Sequence, residues 1–158
     1  FKFYPGIFSL AKLAFLQGYK IVVVTNQAGI GRGFYSEDCF MELSNWMCDK
    51  FKNKGVIIDK IYFSPYHPTE GIGKYKKDHF FRKPKPGMLL QAQRDLNLNL
   101  SNSIMIGDKL SDIQAAIAAG VQKNFLFTSD NITPKNDSYE VINDLEDVAE
   151  YLLTNPRV

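Results

Sequence analysis

Ile104-Met-Ile-Gly-Asp-Lys-Leu-Ser-Asp112 runs directly into Ile113-Gln-Ala-Ala-Ile-Ala-Ala119. The first part is a short apolar run that stops at Gly107 and delivers Asp108, Lys109 and Asp112 in quick succession. The second part has the small and aliphatic residues of a helix, so the whole reads as strand, tight turn and helix. In an open parallel sheet, ligands bind beyond the carboxyl ends of the strands, which places these carboxylates at a site and not in the core. Two acidic groups there suit a hard cation such as Mg²⁺, which takes oxygen ligands and keeps waters or substrate phosphate oxygens. Taken singly, each also reads as a turn Asp and a helix cap. The metal reading therefore depends on partners elsewhere in the chain.

Toward the amino terminus, Arg82-Lys-Pro-Lys-Pro-Gly87 sets Arg82, Lys83 and Lys85 among prolines that limit backbone freedom. This can hold positive groups toward a phosphate, and it can equally be a solvated basic loop. It ends a polar stretch, residues 64–86, whose length marks a lid or binding loop more than an ordinary connection. Residues 55–63 contain a strand. Residues 20–24 are a β-branched run expected to be a strand covered on both faces, with Thr25-Asn26-Gln27 at its carboxyl end. Next comes Ala28-Gly-Ile-Gly-Arg-Gly33, expected to be a loop whose glycines let the backbone approach a ligand closely. The glycines alone also describe a flexible connector; their place after a buried strand favours function. Ser36 offers an N-cap, Glu37 and Asp38 suit a first helical turn, and Phe40, Leu43, Trp46, Met47 and Phe51 recur at helical spacing as expected core residues.

Residues 7–16 read as a helix closed by Gly18, and residues 88–95 as another. Downstream of the acidic turn come a strand at 123–127, a turn-rich stretch at 129–138, a small edge strand at 139–142 and a helix at 145–153. Strands alternate with helices, and with right-handed crossovers this order gives a three-layer, Rossmann-like α/β fold with a parallel sheet. The 158 residues, 45% hydrophobic and 13% aromatic, suffice for one sizeable core and predict a single domain over residues 1–158. A formal net charge of +2 argues against a nucleic-acid partner while permitting a local basic patch for an anionic substrate. Two cysteines, Cys39 and Cys48, form neither a disulfide framework nor a zinc-finger spacing. No apolar run approaches a membrane span and no signal peptide is visible, so the expected setting is the cytoplasm and no membrane partner is expected.

In a parallel sheet the strand ends share one edge. That edge would collect Thr25 and Asn26, Lys83 with Arg82 beside it, and Asp108 with Asp112. A hydroxyl donor, a cation and a metal-binding acidic pair at one point are the equipment for stabilising a phosphoryl group in transfer.

In this order the motifs resemble the second, third and fourth motifs of the haloacid dehalogenase (HAD) superfamily. Within it, Val24-Thr-Asn-Gln-Ala-Gly-Ile-Gly-Arg-Gly33, Arg82-Lys-Pro-Lys-Pro-Gly-Met88 and Ile106-Gly-Asp-Lys-Leu-Ser-Asp112 resemble the D-glycero-D-manno-heptose-1,7-bisphosphate 7-phosphatases, with histidinol-phosphate phosphatases close behind. The resemblance implies a HAD-like sheet with no large cap domain. It also implies Mg²⁺-dependent removal of one phosphate from a small phosphorylated sugar, through an aspartyl-phosphate, on the way to the heptose of surface polysaccharide. It assigns Asp108 to the metal with Asp112 supporting, Thr25 and Lys83 to the phosphoryl group, and Asn26, Gln27, Ala28, Arg82 and Lys109 to the substrate pocket.

Two departures accompany the resemblance. The family's first motif is an Asp-x-Asp pair on an upstream, central strand that supplies nucleophile and general acid. Nothing in residues 1–158 supplies it, so the expectation is an amino-terminally incomplete chain that lacks its first strand and is inactive by itself. Secondly, many of these phosphatases bind structural zinc in the long loop through three Cys and one His, where this chain has Ser64, Tyr66, His79 and Phe81. No zinc is expected; His67 and His79 are expected to face solvent or to pack against Tyr66 and Phe80. Alternatives are a histidinol-phosphate phosphatase, a polynucleotide 3′-phosphatase, whose relatives share the Thr-Asn-Gln and glycine pattern, and a non-catalytic sugar-phosphate binding or scaffold protein. A monomer is expected.

Overall fold

The structure is a computed structural model and describes residues 1–156. Helix α1 (Ile7–Leu16) precedes strand β1 (Val22–Asn26), the short helix α2 (Ala28–Gly31), the long helix α3 (Glu37–Asn53) and strand β2 (Lys60–Ser64). After the loop come α4 (Gly87–Leu96), β3 (Ile104–Gly107), α5 (Leu110–Ala119), β4 (Lys123–Phe127), β5 (Glu140–Ile142) and α6 (Glu146–Thr154). The strands are parallel throughout: β1 pairs with β2, and β4 lies between β3 and β5. Among the described residues no helix is long and apolar enough to cross a membrane.

Alternation along the strands sorts the core into two faces. Met105 and Leu126 point to one side, where they pack with Leu89 of α4 and with Ile113, Ala115 and Ala116 of α5. Phe125 points to the other, against Leu10 of α1 and Val148 and Leu152 of α6. Successive strand side chains face opposite ways, so a sheet flanked like this is the middle of three layers. Tyr62 of β2 is buried beside Met88, and its hydroxyl donates to Asp95 Oδ2 at 2.6 Å. Burial, and then that bond and the carboxylate's charge, push the Tyr62 pKa up to about 12.

Three local expectations are corrected. Residues 28–31 are a helical turn, not a loop. The close approach their glycines permit is to the protein's own chain: a Cβ on Gly31 would collide with the Pro65 carbonyl, and one on Gly29 with the Tyr35 ring. On α3, Phe40 and Phe51 are buried, but Leu43 and Trp46 are 39% and 43% exposed. Trp46 lies at the rim, covered by Phe1 and Phe3. The long loop holds a turn of 3₁₀ helix at Gly73–Tyr75.

The sheet is interrupted between β1 and β3, which share no ladder. Val24 of β1 nonetheless packs against the β3–α5 core, so the two half-sheets lie side by side. One side chain ties them at their carboxyl ends. Lys83 Nζ donates to the Val24 carbonyl at 2.9 Å and sits 2.5 Å from Asp112 Oδ1, with only 8% and 9% of the Lys and Asp side chains exposed. Asp112 Oδ2 accepts from the Lys109 amide at 3.0 Å and closes the first turn of α5. A dry ion pair differs from a surface one in what its removal leaves behind. Asp112→Ala strands a buried ammonium and should lower unfolding free energy by about 3–5 kcal/mol. Asp78→Ala, which removes the exposed partner of Lys85, should cost no more than about 1 kcal/mol. Urea denaturation of the two variants checks this; equal losses would contradict it.

Candidate functional site

Lys83 reaches the strand ends from the loop, and its backbone is held as firmly as its head. The Asn26 side-chain amide makes two bonds to one residue: Nδ2 donates to the Lys83 carbonyl and Oδ1 accepts from the Lys83 N–H, each at 3.1 Å. An ammonium has three donors, and two of those on Nζ are engaged by Val24 and Asp112. The third remains for an anion. Asn26, expected in the substrate pocket, stands behind Lys83 with both ends of its amide engaged.

Thr25 is oriented from behind in the same way. The Gln27 Nε2 donates to Thr25 Oγ1 at 2.8 Å, and Gln27 Oε1 accepts from the Tyr35 hydroxyl. With the Gln27 N–H on one of its two lone pairs, the Thr25 hydroxyl directs its own hydrogen, among the described residues, to the Asn26 carbonyl at 3.5 Å. Thr25 is thus a donor with a weak internal acceptor, suited to a phosphoryl oxygen. Ala28 opens α2, and its carbonyl accepts from the Arg32 amide at 2.9 Å.

Asp108 follows β3 and is exposed, as is Lys109. Gly107 lets the Asp112 side chain lie directly against the main chain beside Asp108; a Cβ there would collide with Asp112. Val24–Thr25, Lys83, Asp112 and Gly107–Asp108 therefore form a contiguous series across the break in the sheet. Asp108 borders a cavity of about 200 Å³ that Leu110, Thr128, Asp130 and Lys135 also line. A larger hollow of about 870 Å³ lies between residues 128–137 and β5 and holds none of the expected site residues.

The donor set bears on magnesium. Asp108 is the carboxylate at this edge with its oxygens available, whereas both oxygens of Asp112 are engaged by Lys83 and Lys109. Among the described residues no three His, Cys, Asp or Glu gather as a metal cage. That fits Mg²⁺, which is bound through one or two carboxylates with water and substrate phosphate completing its shell. Asp112, expected to support the metal, is instead engaged in fixing Lys83 and the first turn of α5.

Arg82 lies on the loop, where its Nη1 donates to the Tyr66 carbonyl at 3.1 Å. The loop is pinned to α2 and α3: the Ile72 amide donates to the Gly31 carbonyl at 2.8 Å, Arg32 Nε pairs with Glu70 at 3.1 Å, and the Tyr75 hydroxyl donates to Glu37 at the start of α3 at 2.8 Å. His67 Nδ1 accepts from the Thr69 and Glu70 amides at 3.2 and 2.9 Å. Sequence reasoning missed the Val24 carbonyl and Tyr35. Main-chain acceptors carry no motif, and nothing in the local sequence marks Tyr35 as the partner of Gln27.

A HAD-hydrolase-like family profile matches residues 80–150. The D-glycero-α-D-manno-heptose-1,7-bisphosphate 7-phosphatase of Burkholderia mallei is 56% identical over 126 residues, 80% of this chain and 67% of that protein. The D-glycero-β-D-manno-heptose-1,7-bisphosphate 7-phosphatase of Vibrio cholerae is 44% identical over 156 residues, 97% of this chain and 84% of that protein. Among solved structures, the D,D-heptose 1,7-bisphosphate phosphatase of B. bronchiseptica, complexed with magnesium and phosphate, superposes with a TM-score of 0.81 at 27% identity, over 96% of this chain and 83% of that one. A HAD-like protein of Mesorhizobium loti reaches 0.88 at 31% identity, over 99% of this chain and 77% of that one. With its motifs, fold and relatives in agreement, the chain belongs to the D-glycero-D-manno-heptose-1,7-bisphosphate 7-phosphatase family of HAD-like phosphoric monoester hydrolases.

Proposed function

We propose that the protein removes the 7-phosphate of D-glycero-D-manno-heptose 1,7-bisphosphate with Mg²⁺, as a step toward surface polysaccharide. The observation that carries this reading is Lys83: a buried ammonium fixed by the Val24 carbonyl and Asp112, where Thr25 follows Val24 in β1 and Asp108 follows the Gly107 against which Asp112 lies. Thr25 and Lys83 donate to the non-bridging oxygens of the transferring phosphoryl group, whose charge must be met by fixed donors. Arg82 and Lys109 provide cations for the rest of the substrate. Asp108 would hold magnesium, which when bound neutralises phosphate charge and orients the group. Asn26, Gln27 and Asp112 act by holding Lys83 and Thr25 in place.

The nucleophile is proposed to lie on a strand preceding Phe1 that pairs between β1 and β3. The break in the ladder supports this, as does exposure: every residue of β1 is only partly buried, and Ile106 of β3 is 37% exposed. Inner strands of a parallel sheet are covered on both faces, so these strands have the character of unpaired edges. The same reading makes the protein a cytoplasmic monomer acting on a small molecule. The formal net charge of +2 agrees with a sugar phosphate better than with a polynucleotide.

In the full-length protein, Asp108→Ala and Lys83→Met should each lower kcat for phosphate release by about 100-fold or more, as loss of a donor to developing charge does. Assays with Mg²⁺ on both anomers of the heptose bisphosphate, histidinol phosphate and a 3′-phosphorylated oligonucleotide test the specificity. Preference for either of the latter two would contradict it, and an Asp108→Ala variant with full activity would remove the metal assignment.

A further inference from the structure

The loop between β2 and α4 raises a question of its own: what closes it. The family resemblance places zinc ligands at positions occupied here by Ser64, Tyr66, His79 and Phe81. These residues do not fit the ion. A structural zinc site is closed by four Cys, His or carboxylate ligands. Of the four side chains here, His79 alone is of that kind. The Ser64 hydroxyl is buried and has no hydrogen-bond partner, and Tyr66 and Phe81 present ring carbons.

Those rings meet one another. Tyr66 and His79 stack with centroids 4.0 Å apart and planes 11° from parallel, and Phe81 meets the imidazole edge-on at 5.3 Å. The Lys77 ammonium lies 5.6 Å from the Tyr66 ring centre. Phe81 takes the place expected of Phe80, which is 52% exposed. His79 is an acceptor as well as a ring: its Nδ1 takes the Phe81 N–H at 3.0 Å. Both groups that Arg82 donates from are anchored on the stacked pair: its amide donates to the His79 carbonyl at 3.0 Å and its guanidinium to the Tyr66 carbonyl at 3.1 Å, while its own carbonyl accepts from the Lys85 amide at 2.9 Å.

We propose that the Tyr66–His79–Phe81 stack closes this loop in place of a metal, and that His79 is a positioning residue that aims Arg82 at the substrate. The second half rests on the proposed role of Arg82. Face-to-face and edge-on ring contacts bind without directional ligand chemistry, so a zinc-free loop can keep the same closure. Burial, then the Lys77 and Lys85 ammonium groups, lower the His79 pKa from its ordinary value. The other charges here are Asp78, which pairs with Lys85 at 2.8 Å, and Arg82. A lowered pKa means that opening the loop takes up a proton, so the stabilisation of the closed loop is fully present above the unperturbed imidazole pKa of about 6.5 and weakens as pH falls below it.

The test compares the full-length protein with its H79A and H79F variants by zinc content, amide hydrogen exchange and steady-state kinetics. The wild type should hold well under one equivalent of zinc after dialysis, and a zinc-selective chelator should leave the exchange of the 65–86 segment unchanged. H79A should speed exchange at Phe81 and Arg82 and raise KM roughly tenfold with little change in kcat, the mark of lost substrate positioning. H79F, which keeps a ring and loses the acceptor, should release the Phe81 amide while retaining most of the Arg82 protection; it carries the test if H79A does not fold. One equivalent of zinc whose removal opens the loop, or variants with wild-type exchange and KM, would overturn the proposal. If the wild type releases no phosphate from heptose bisphosphate, the functional reading fails, while zinc content and exchange still decide between stack and metal.

Discussion

A lysine without water around it is the constraint on which the rest of this structure depends. Taking an ammonium out of water costs several kcal/mol unless opposite charge and hydrogen bonds compensate. For Lys83 the compensation comes from two separate parts of the fold: the middle of strand β1, through the Val24 carbonyl, and the first turn of α5, through Asp112. Each half-sheet supplies what the other lacks. The ion pair therefore bridges a gap in the ladder, and the same contacts engage two of the three Nζ donors. Stability and chemistry make the same demand on one side chain.

The supporting residues extend that logic outward. Asn26 reads both polar groups of the Lys83 backbone, and the Tyr35–Gln27–Thr25 relay fixes which way a hydroxyl donates. All of these contacts are within the protein's own chain, so the donors are held in place without a ligand. Preorganised donors of this kind are effective because no reorganisation is needed as charge develops. The long loop adds Arg82 from above, pinned to α2 and α3 by Arg32, Ile72 and Tyr75 and internally by stacked rings.

Much of this was legible in the sequence, and the unreadable parts share a cause. The alternation of apolar runs and helical periods gave the layered parallel fold, because burial imposes periodicity that survives in the residue order. The acidic turn after residues 104–107 and the donor pair after residues 22–24 were visible as residue types at strand ends. Partners were not. Asp112 as a helix-capping residue and Asp112 as a neutraliser of Lys83 look identical in one dimension, and its two oxygens serve both purposes. Trp46 fits the same helical stripe as Phe40, since spacing gives the stripe's direction and not its width. Ala28–Gly31 forms a helical turn despite its glycines because Pro65 and Ile72 lie against it, and those are contacts across more than thirty residues. Phe81, not Phe80, lies beside His79 because residues 79–82 form a turn, closed by the Arg82 amide on the His79 carbonyl and by the Phe81 amide on His79 Nδ1.

The most direct test is a crystal structure of the full-length protein with Mg²⁺ and tungstate as an inert phosphate mimic. The account predicts one oxyanion within hydrogen-bond distance of both Lys83 Nζ and Thr25 Oγ1, with Asp108 coordinating the metal at about 2.1 Å and Lys83 still held by Val24 and Asp112. An oxyanion bound away from these residues, or a Lys83 that leaves Asp112 to reach it, would contradict the account.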